Sequence, residues 1–231
     1  MKTRQLLKEV HNQSKKKQEP TLYNGKIPLV IAQKISKSNF DLNKVCEAVN
    51  KSIPQHLFYG IDVVYVGHLP EFDERGINAM YSDGAIYVTN HQDDELDMYD
   101  DIVHELAHGV EISHNDVIYG DGELEMEFLQ KRKSLFLNMQ KHEESMPYGS
   151  KHFLETDFDL EFDEYLYKDV GYPKLRTYIQ GIFTSCYSAT SLPEYFAVNF
   201  TDFFVKGGEE VKKLCPVAYE KIMNLQSIDE Q

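Results

Sequence analysis

Cysteine is scarce in this chain: Cys46, Cys186 and Cys215 are the only three among 231 residues. An odd number at wide spacings, with no Cys-x-x-Cys pair, excludes a disulfide framework and a thiolate zinc site, so the three are expected as reduced, mostly buried thiols. Long apolar runs are also missing. No segment approaches membrane-spanning length, and residues 1–7 lead into polar residues rather than an apolar core of signal-peptide length. The expectation is a protein made and kept in the cytoplasm, with no membrane partner. Positive charge is in deficit: 24 Lys and Arg face 38 Asp and Glu, a formal net charge of −14. Such a surface repels phosphate backbones, which argues against nucleic acid and leaves basic or neutral proteins as partners. Internal repeats and low-complexity linkers are absent too, and 231 residues suit one domain long enough to bury a core. Nothing in the pattern specifies an oligomeric state.

Against that background one stretch organises the chain, Asp100-Asp101-Ile102-Val103-His104-Glu105-Leu106-Ala107-His108. Apolar residues recur at Met98, Tyr99, Ile102, Val103, Leu106 and Val110, the spacing of a helix with one buried face. On such a helix His104 and His108 are four residues apart and point the same way, so two imidazoles can grip one metal ion. Glu105 is offset round the helix, where it reaches a water on that metal without binding the metal itself. A His-Glu-x-x-His motif in a helix predicts a zinc hydrolase, with His104 and His108 as ligands and Glu105 as general base.

The flanking pattern is of mixed type. Residues 1–25 read as an N-terminal arm or short helix, in which Lys15-Lys16-Lys17 is a solvated end. Residues 27–31 predict a strand, Asn39 or Asp41 caps a helix carrying Val45, Cys46, Ala48 and Val49, and Pro54 ends it. Residues 61–66 are β-branched and aromatic, hence a strand, and Asp83-Gly84 between two apolar runs is a hairpin turn. Residues 85–89 are a candidate for the sheet edge that pairs with an extended substrate backbone; the other reading is an ordinary central strand. Past the motif, Gly120-Asp121-Gly122 is a turn and residues 124–140 a helix. Asp157, Asp159, Glu161 and Asp163 alternate with apolar residues as a solvated acidic face rather than a calcium loop, because Phe162 stands where an EF-hand needs glycine. Residues 175–183, 194–204 and 209–225 read as helices, the last interrupted at Pro216. The fold class is α+β. Residues 26–231 form one domain, with a small N-terminal mixed sheet (about 26–95), an active-site helix (about 96–112) and a mainly helical lobe (about 113–231).

A catalytic zinc has three protein ligands and one open position, so a third ligand remains to be found, and the residues leave three candidates. His114 falls where a metzincin places its third histidine, and Met146-Pro147-Tyr148 looks like the Met-turn that follows. However, Glu111 occupies the position of the glycine that breaks the helix in that pattern. Glu127 has the gap after His108 found in zinc aminopeptidases, although beside Glu123 and Glu125 it also reads as one of several acids complementing a helix dipole. Glu194 opens an aromatic-rich helix with Tyr187 seven residues ahead, and Ser191-Leu192-Pro193-Glu194 also fits a capping box.

The segment from Tyr187 through Glu194-Tyr195-Phe196-Ala197 to Phe200, together with the His-Glu-x-x-His helix, resembles the lethal-factor-like zinc peptidases, the gluzincin-type group that includes the Pro-Pro endopeptidases. The resemblance covers residues 60–205 in outline and is specific at the two motifs. It implies a zincin-like fold, one Zn2+ per chain held by His104, His108 and Glu194, Glu105 as general base and Tyr187 as a phenol assisting the transition state. It also implies a protein or peptide substrate, with a hint of proline near the scissile bond. Val198 departs from a glutamate common in that second helix, Ala107 from a usual glycine, and the connection over residues 109–186 is longer than expected. The expected reaction is peptide hydrolysis: zinc acidifies its water toward pKa ~7, Glu105 takes the proton and passes it to the leaving amine, and Tyr187 donates to the oxyanion. The alternatives are a catalytically silent zincin-fold binding or inhibitor protein and a zinc hydrolase of a non-peptide substrate.

Overall fold

Short runs of β-branched and apolar residues build a five-stranded sheet in the first half of the chain. The computed structural model describes residues 20–142 and 146–228, and the chain divides into two compact units, Met1–Ser113 and His114–Gln231. Most of the expected N-terminal arm, residues 1–19, lies outside the described residues; its end forms β1 (Thr21–Leu22). Then follow β2 (Ile27–Ile31), α1 (Leu42–Ser52), β3 (Val63–Val66), α2 (Pro70–Arg75), β4 (Ala79–Ser82), β5 (Ala85–Val88) and α3 (Glu95–Ser113). The sheet order is β1-β2-β3-β5-β4, with β2, β3 and β5 parallel and the outer strands β1 and β4 antiparallel to their neighbours.

Local chemistry accounts for most of these boundaries. Asp41, rather than Asn39, caps α1 by accepting a hydrogen bond from the Asn43 amide, and Ile53 turns extended ahead of Pro54, which disfavours helical geometry in the residue before it. At the hairpin, Asp83 (φ 49°) and Gly84 (φ 81°) are both left-handed, the geometry of the tight turn that matches strand twist. Strand β3 starts at Val63 and not Ile61, because the Ile61 amide closes a turn on the Phe58 carbonyl. Of the two readings of residues 85–89, the cleft-bordering edge is corrected and the central strand is found: β5 has β3 on one side and β4 on the other. Its Ala85, Ile86 and Val88 are buried whereas Met80, Tyr81 and Ser82 of β4 are half-buried, so the more apolar strand of the hairpin goes inside and β4 lies outermost among the described strands.

Helix α3 lies against this sheet and against α1. Met98, Ile102, Val103, Leu106 and Val110 are all fully buried, as the periodicity predicts. The absence of a side chain at Gly109 permits the close seat of the helix: a Cβ there would come within 2.6 Å of the Ile61 methyl and 3.3 Å of the Tyr81 ring.

The second unit is helical throughout its regular elements among the described residues. It contains α4 (Asn115–Tyr119), α5 (Glu123–His142), α6 (Leu160–Glu164) running into a π-helical stretch (Tyr165–Gly171), α7 (Tyr172–Ile179), α8 (Leu192–Lys206), α9 (Glu209–Leu214) and α10 (Pro216–Gln226). Helix α7 ends before the expected residue 183, because the amides of Ile182 and Phe183 fold back on the Ile179 carbonyl around Gly181, which has positive φ. The acidic alternation is a solvated face as far as Glu161, and Asp159 caps α6 by accepting from the Glu161 and Phe162 amides. The core of the unit is aromatic: Tyr195, Phe196 and Phe200 of α8 are fully buried, and the Tyr195 ring lies 5.5 Å from Phe128 and 5.9 Å from Phe183. Each such ring contributes on the order of 2–3 kcal/mol by leaving water. No described helix is long and apolar enough to cross a membrane, and all three cysteines are free and buried, as expected.

Candidate functional site

Helix α3 carries the His-Glu-x-x-His motif past its midpoint. His104 and His108 share one face, with ring centroids 5.2 Å apart and planes at 83°, nearly edge to face. The ring of His108 is held by a residue the sequence reading did not assign to the site. Its Nδ1 lies 2.7 Å from Oε2 of Glu111, one helical turn on, and Glu111 is only 7% exposed. A carboxylate only accepts, so Nδ1–H is the donor, and this tautomer leaves the lone pair of Nε2 for a metal. Glu105 is 8% exposed on the same helix. One turn before the pair, Asp101 accepts a hydrogen bond from the Gln92 amide at 2.9 Å. Burial, opposed by that bond and reinforced by Asp97, Asp100 and Glu105, pushes the Asp101 carboxyl up to about 6.

Tyr187 and Glu194 lie in the second unit, on either side of the start of α8. Tyr187 opens a single 3-10 turn (Tyr187–Ala189), closed by the Thr190 amide and hydroxyl donating to the Tyr187 carbonyl at 3.1 and 2.8 Å. Ser191 is the N-cap, and its hydroxyl accepts from the Glu194 amide at 3.2 Å, so Glu194 sits in the rigid first turn behind Pro193. A cavity of about 440 Å³ in this unit is lined by Tyr187 together with Tyr172, Arg176, Phe183, Cys186 and Glu210. Asp163 of α6 is a second acid that the sequence left on the surface face. Burial, and then the charge of Glu194, raise its carboxyl above the usual range, and its Oδ1 has no hydrogen-bond partner.

The other two candidates for a third ligand, Glu127 and His114, also belong to the second unit. Glu127 accepts from the Tyr195 hydroxyl at 2.8 Å and from the Val217 and Ala218 amides at 3.1 and 3.2 Å, so it anchors α8 and caps α10. Helix α3 continues unbroken through Glu111 to Ser113, so the helix break that a metzincin makes three residues after its second histidine is absent, and His114 stands at the N-cap of α4. Tyr148, in the Met-turn look-alike, packs its ring on Phe162 and Tyr165.

Comparison with protein-family models, curated proteins and solved structures found no match. The chemistry of the site is therefore argued from its donors alone. Two imidazoles on one helix face, one of them with its tautomer fixed by a buried carboxylate, suit a borderline transition metal such as Zn2+ far better than a hard oxygen-seeking ion. Glu194 offers a carboxylate oxygen of the type that commonly completes such a set. A carboxylate adjacent in sequence to the first histidine is offset from it by about 100° round the helix. The signal that would have found Glu111 in the sequence is its spacing, an acid one turn after the second histidine of the motif.

Proposed function

We propose that this protein is a zinc-dependent endopeptidase of the zincin-like, lethal-factor-like kind, with His104, His108 and Glu194 holding one Zn2+ per chain. The observation that carries the reading is the His108 pair: a histidine of a His-Glu-x-x-His helix whose Nδ1–H is spent on the nearly buried Glu111. A surface histidine needs no such orienter, whereas a metal ligand does. The placement of Glu194 behind a capped helix start supports its role, since a ligand on a fixed turn loses little freedom on binding.

A bound zinc would supply Lewis acidity and a water acidic enough to ionise near neutral pH. The chain's own residues do the rest. Glu105 accepts the proton of the attacking water and returns it to the leaving amine. The Tyr187 phenol donates a hydrogen bond to the oxyanion as the carbonyl carbon becomes tetrahedral. Asp101, one turn before the pair, accepts a hydrogen bond from Gln92 and has no assigned step. Three unpaired thiols support a reducing compartment such as the cytoplasm.

The test combines metal analysis with digestion of a peptide library. The purified protein is expected to hold one zinc per chain and to cleave peptides in a chelator-sensitive manner; Glu105→Gln keeps the zinc and loses cleavage by at least about a hundredfold. Full metal-dependent cleavage by Glu105→Gln would sink the mechanism, and failure of the wild type to take up zinc would sink the enzyme reading in favour of a binding protein.

A further inference from the structure

Arg132, in the middle of α5, is 1% exposed, and no carboxylate meets its guanidinium among the described hydrogen bonds and ion pairs. A buried, permanently charged group is expensive unless its donors are met, so the groups it bonds indicate what it is retained for. Nη1 donates to the carbonyls of Ala189 at 2.7 Å and Thr190 at 2.9 Å, Nη2 donates to the His152 carbonyl at 2.7 Å, and Nε finds no acceptor. The rings of Phe162, Phe128 and Phe153 surround its central carbon at 4.6, 5.4 and 5.6 Å, so carbonyl dipoles and ring faces meet the guanidinium directly while the Asp159 charge acts on it without a hydrogen bond. Burial draws the group down only to about 10, and it remains a cation at neutral pH.

The two carbonyls under Nη1 belong to the turn that joins Tyr187 to the Ser191 cap of α8. Holding successive carbonyls from one nitrogen fixes the orientation of both peptide planes. Those planes begin two residues after the residue proposed as the assisting phenol and end at Ser191, the cap that seats Glu194. We propose that Arg132 is a positioning residue for the catalytic centre: it clamps the turn at Ala189 and Thr190 and thereby sets Tyr187 and Glu194 relative to each other. The inference rests on the peptidase reading, because a turn that carried neither a ligand nor a catalytic phenol would gain nothing from a buried charge that an apolar side chain could replace. Lysine is a poor substitute, since a single ammonium lacks the planar fork that spans three carbonyls from two segments.

The experiment measures the zinc dissociation constant by chelator competition for the wild type, Arg132→Lys, Arg132→Met, Glu194→Ala and Lys221→Met, alongside thermal melts, and then kcat and KM on a peptide cleaved by the wild type. Lys221 is the control, a buried lysine of the same unit that bonds Asp121 and the Val117 carbonyl and is remote in sequence from the turn. Arg132→Lys is expected to fold, to bind zinc roughly tenfold more weakly, and to lose kcat with KM within about twofold, in the range seen when groups orienting metal ligands are removed. Lys221→Met is expected to lower the melting temperature and leave zinc affinity within about twofold. If Arg132→Met does not fold, Arg132→Lys alone decides. Wild-type zinc affinity in a folded Arg132→Lys, with Glu194→Ala defective, overturns the positioning role and leaves the peptidase reading standing. An equal loss in Lys221→Met also overturns it, by reducing the effect to general destabilisation. Undiminished zinc binding by Glu194→Ala removes the ligand assignment, and this proposal with it.

Discussion

Glu111 offers the sharpest test of whether the motif helix is built to hold a metal. Its Oε2 lies 2.7 Å from His108 Nδ1, its side chain is 9% exposed and that of His108 is 21% exposed. Removing the carboxylate that orients a ligating histidine typically weakens metal binding about 10–100-fold, which converts to about 1.4–2.7 kcal/mol. Glu111→Ala should therefore raise the zinc dissociation constant about 10–100-fold. Glu111→Gln keeps an acceptor for Nδ1–H while losing the charge, and should fall between alanine and wild type, within about tenfold of the latter. Stability should move little, by under about 1 kcal/mol, because alanine removes the charge together with its bond and the imidazole left behind reaches water. Chelator competition at fixed ionic strength measures the affinities, and urea denaturation of the metal-free proteins measures the stabilities. If Glu111→Ala binds zinc within twofold of wild type while remaining folded, the orienting role fails, and the 2.7 Å contact is an ordinary helix-face pair.

Three further outcomes follow from the same reasoning. Glu127→Ala should leave zinc stoichiometry at wild-type level and lower the unfolding free energy by about 2–3 kcal/mol, because the Tyr195 hydroxyl and two α10 amides lose their acceptor; loss of zinc from a folded variant would instead make Glu127 a ligand. The metal-free protein should lose stability as pH rises from about 4 to 6. The folded state keeps the proton on Asp101, held up to about 6, while the unfolded chain releases its proton near 3.8. Asp101→Asn should abolish that slope and be more stable at pH 7 by about 2 kcal/mol, and an unchanged slope in urea titrations across that range would refute the assignment. Burial pushes the Cys46 thiol up to about 12, so a thiol reagent at pH 8 should label it only on unfolding, and prompt labelling of native Cys46 in a peptide map would contradict its burial.

Elements whose causes lie within a few residues of one another were legible in the sequence. The motif helix, the Asp83-Gly84 hairpin, the Asp41 cap and the break at Pro216 each depend on periodicity or on one side chain meeting a nearby amide, and each is found where those rules put it. The order of the sheet was not legible. Which strand of a hairpin faces outward depends on what the inner one pairs with, and β5 is drawn inside by its parallel partner β3, whose residues pair with those 22 positions later, as Val63 does with Ala85. Asp163 was not legible for the same reason: alternation reads it as surface, yet it is half-buried beside the buried Phe162, and burial and then the charge of Glu194, distant in the chain, raise its carboxyl.

The site divides along the same line. His104, Glu105 and His108 are readable because four-residue spacing is a local property, but what makes His108 a prepared ligand is an acid that the sequence presented only as an objection. Glu111 stands where a metzincin needs glycine, which argues against His114 as a ligand. The structure gives both facts one cause. With glutamate in place of glycine the helix continues, and a helix that continues by one turn brings position 111 back beneath position 108, at the distance where a carboxylate meets Nδ1. The residue that closes off the metzincin route to a third ligand thus orients the second one. A chain that orients its second ligand from within α3 leaves the third to be supplied from another element, and Glu194 on the capped first turn of α8 is the carboxylate the proposed mechanism assigns to it.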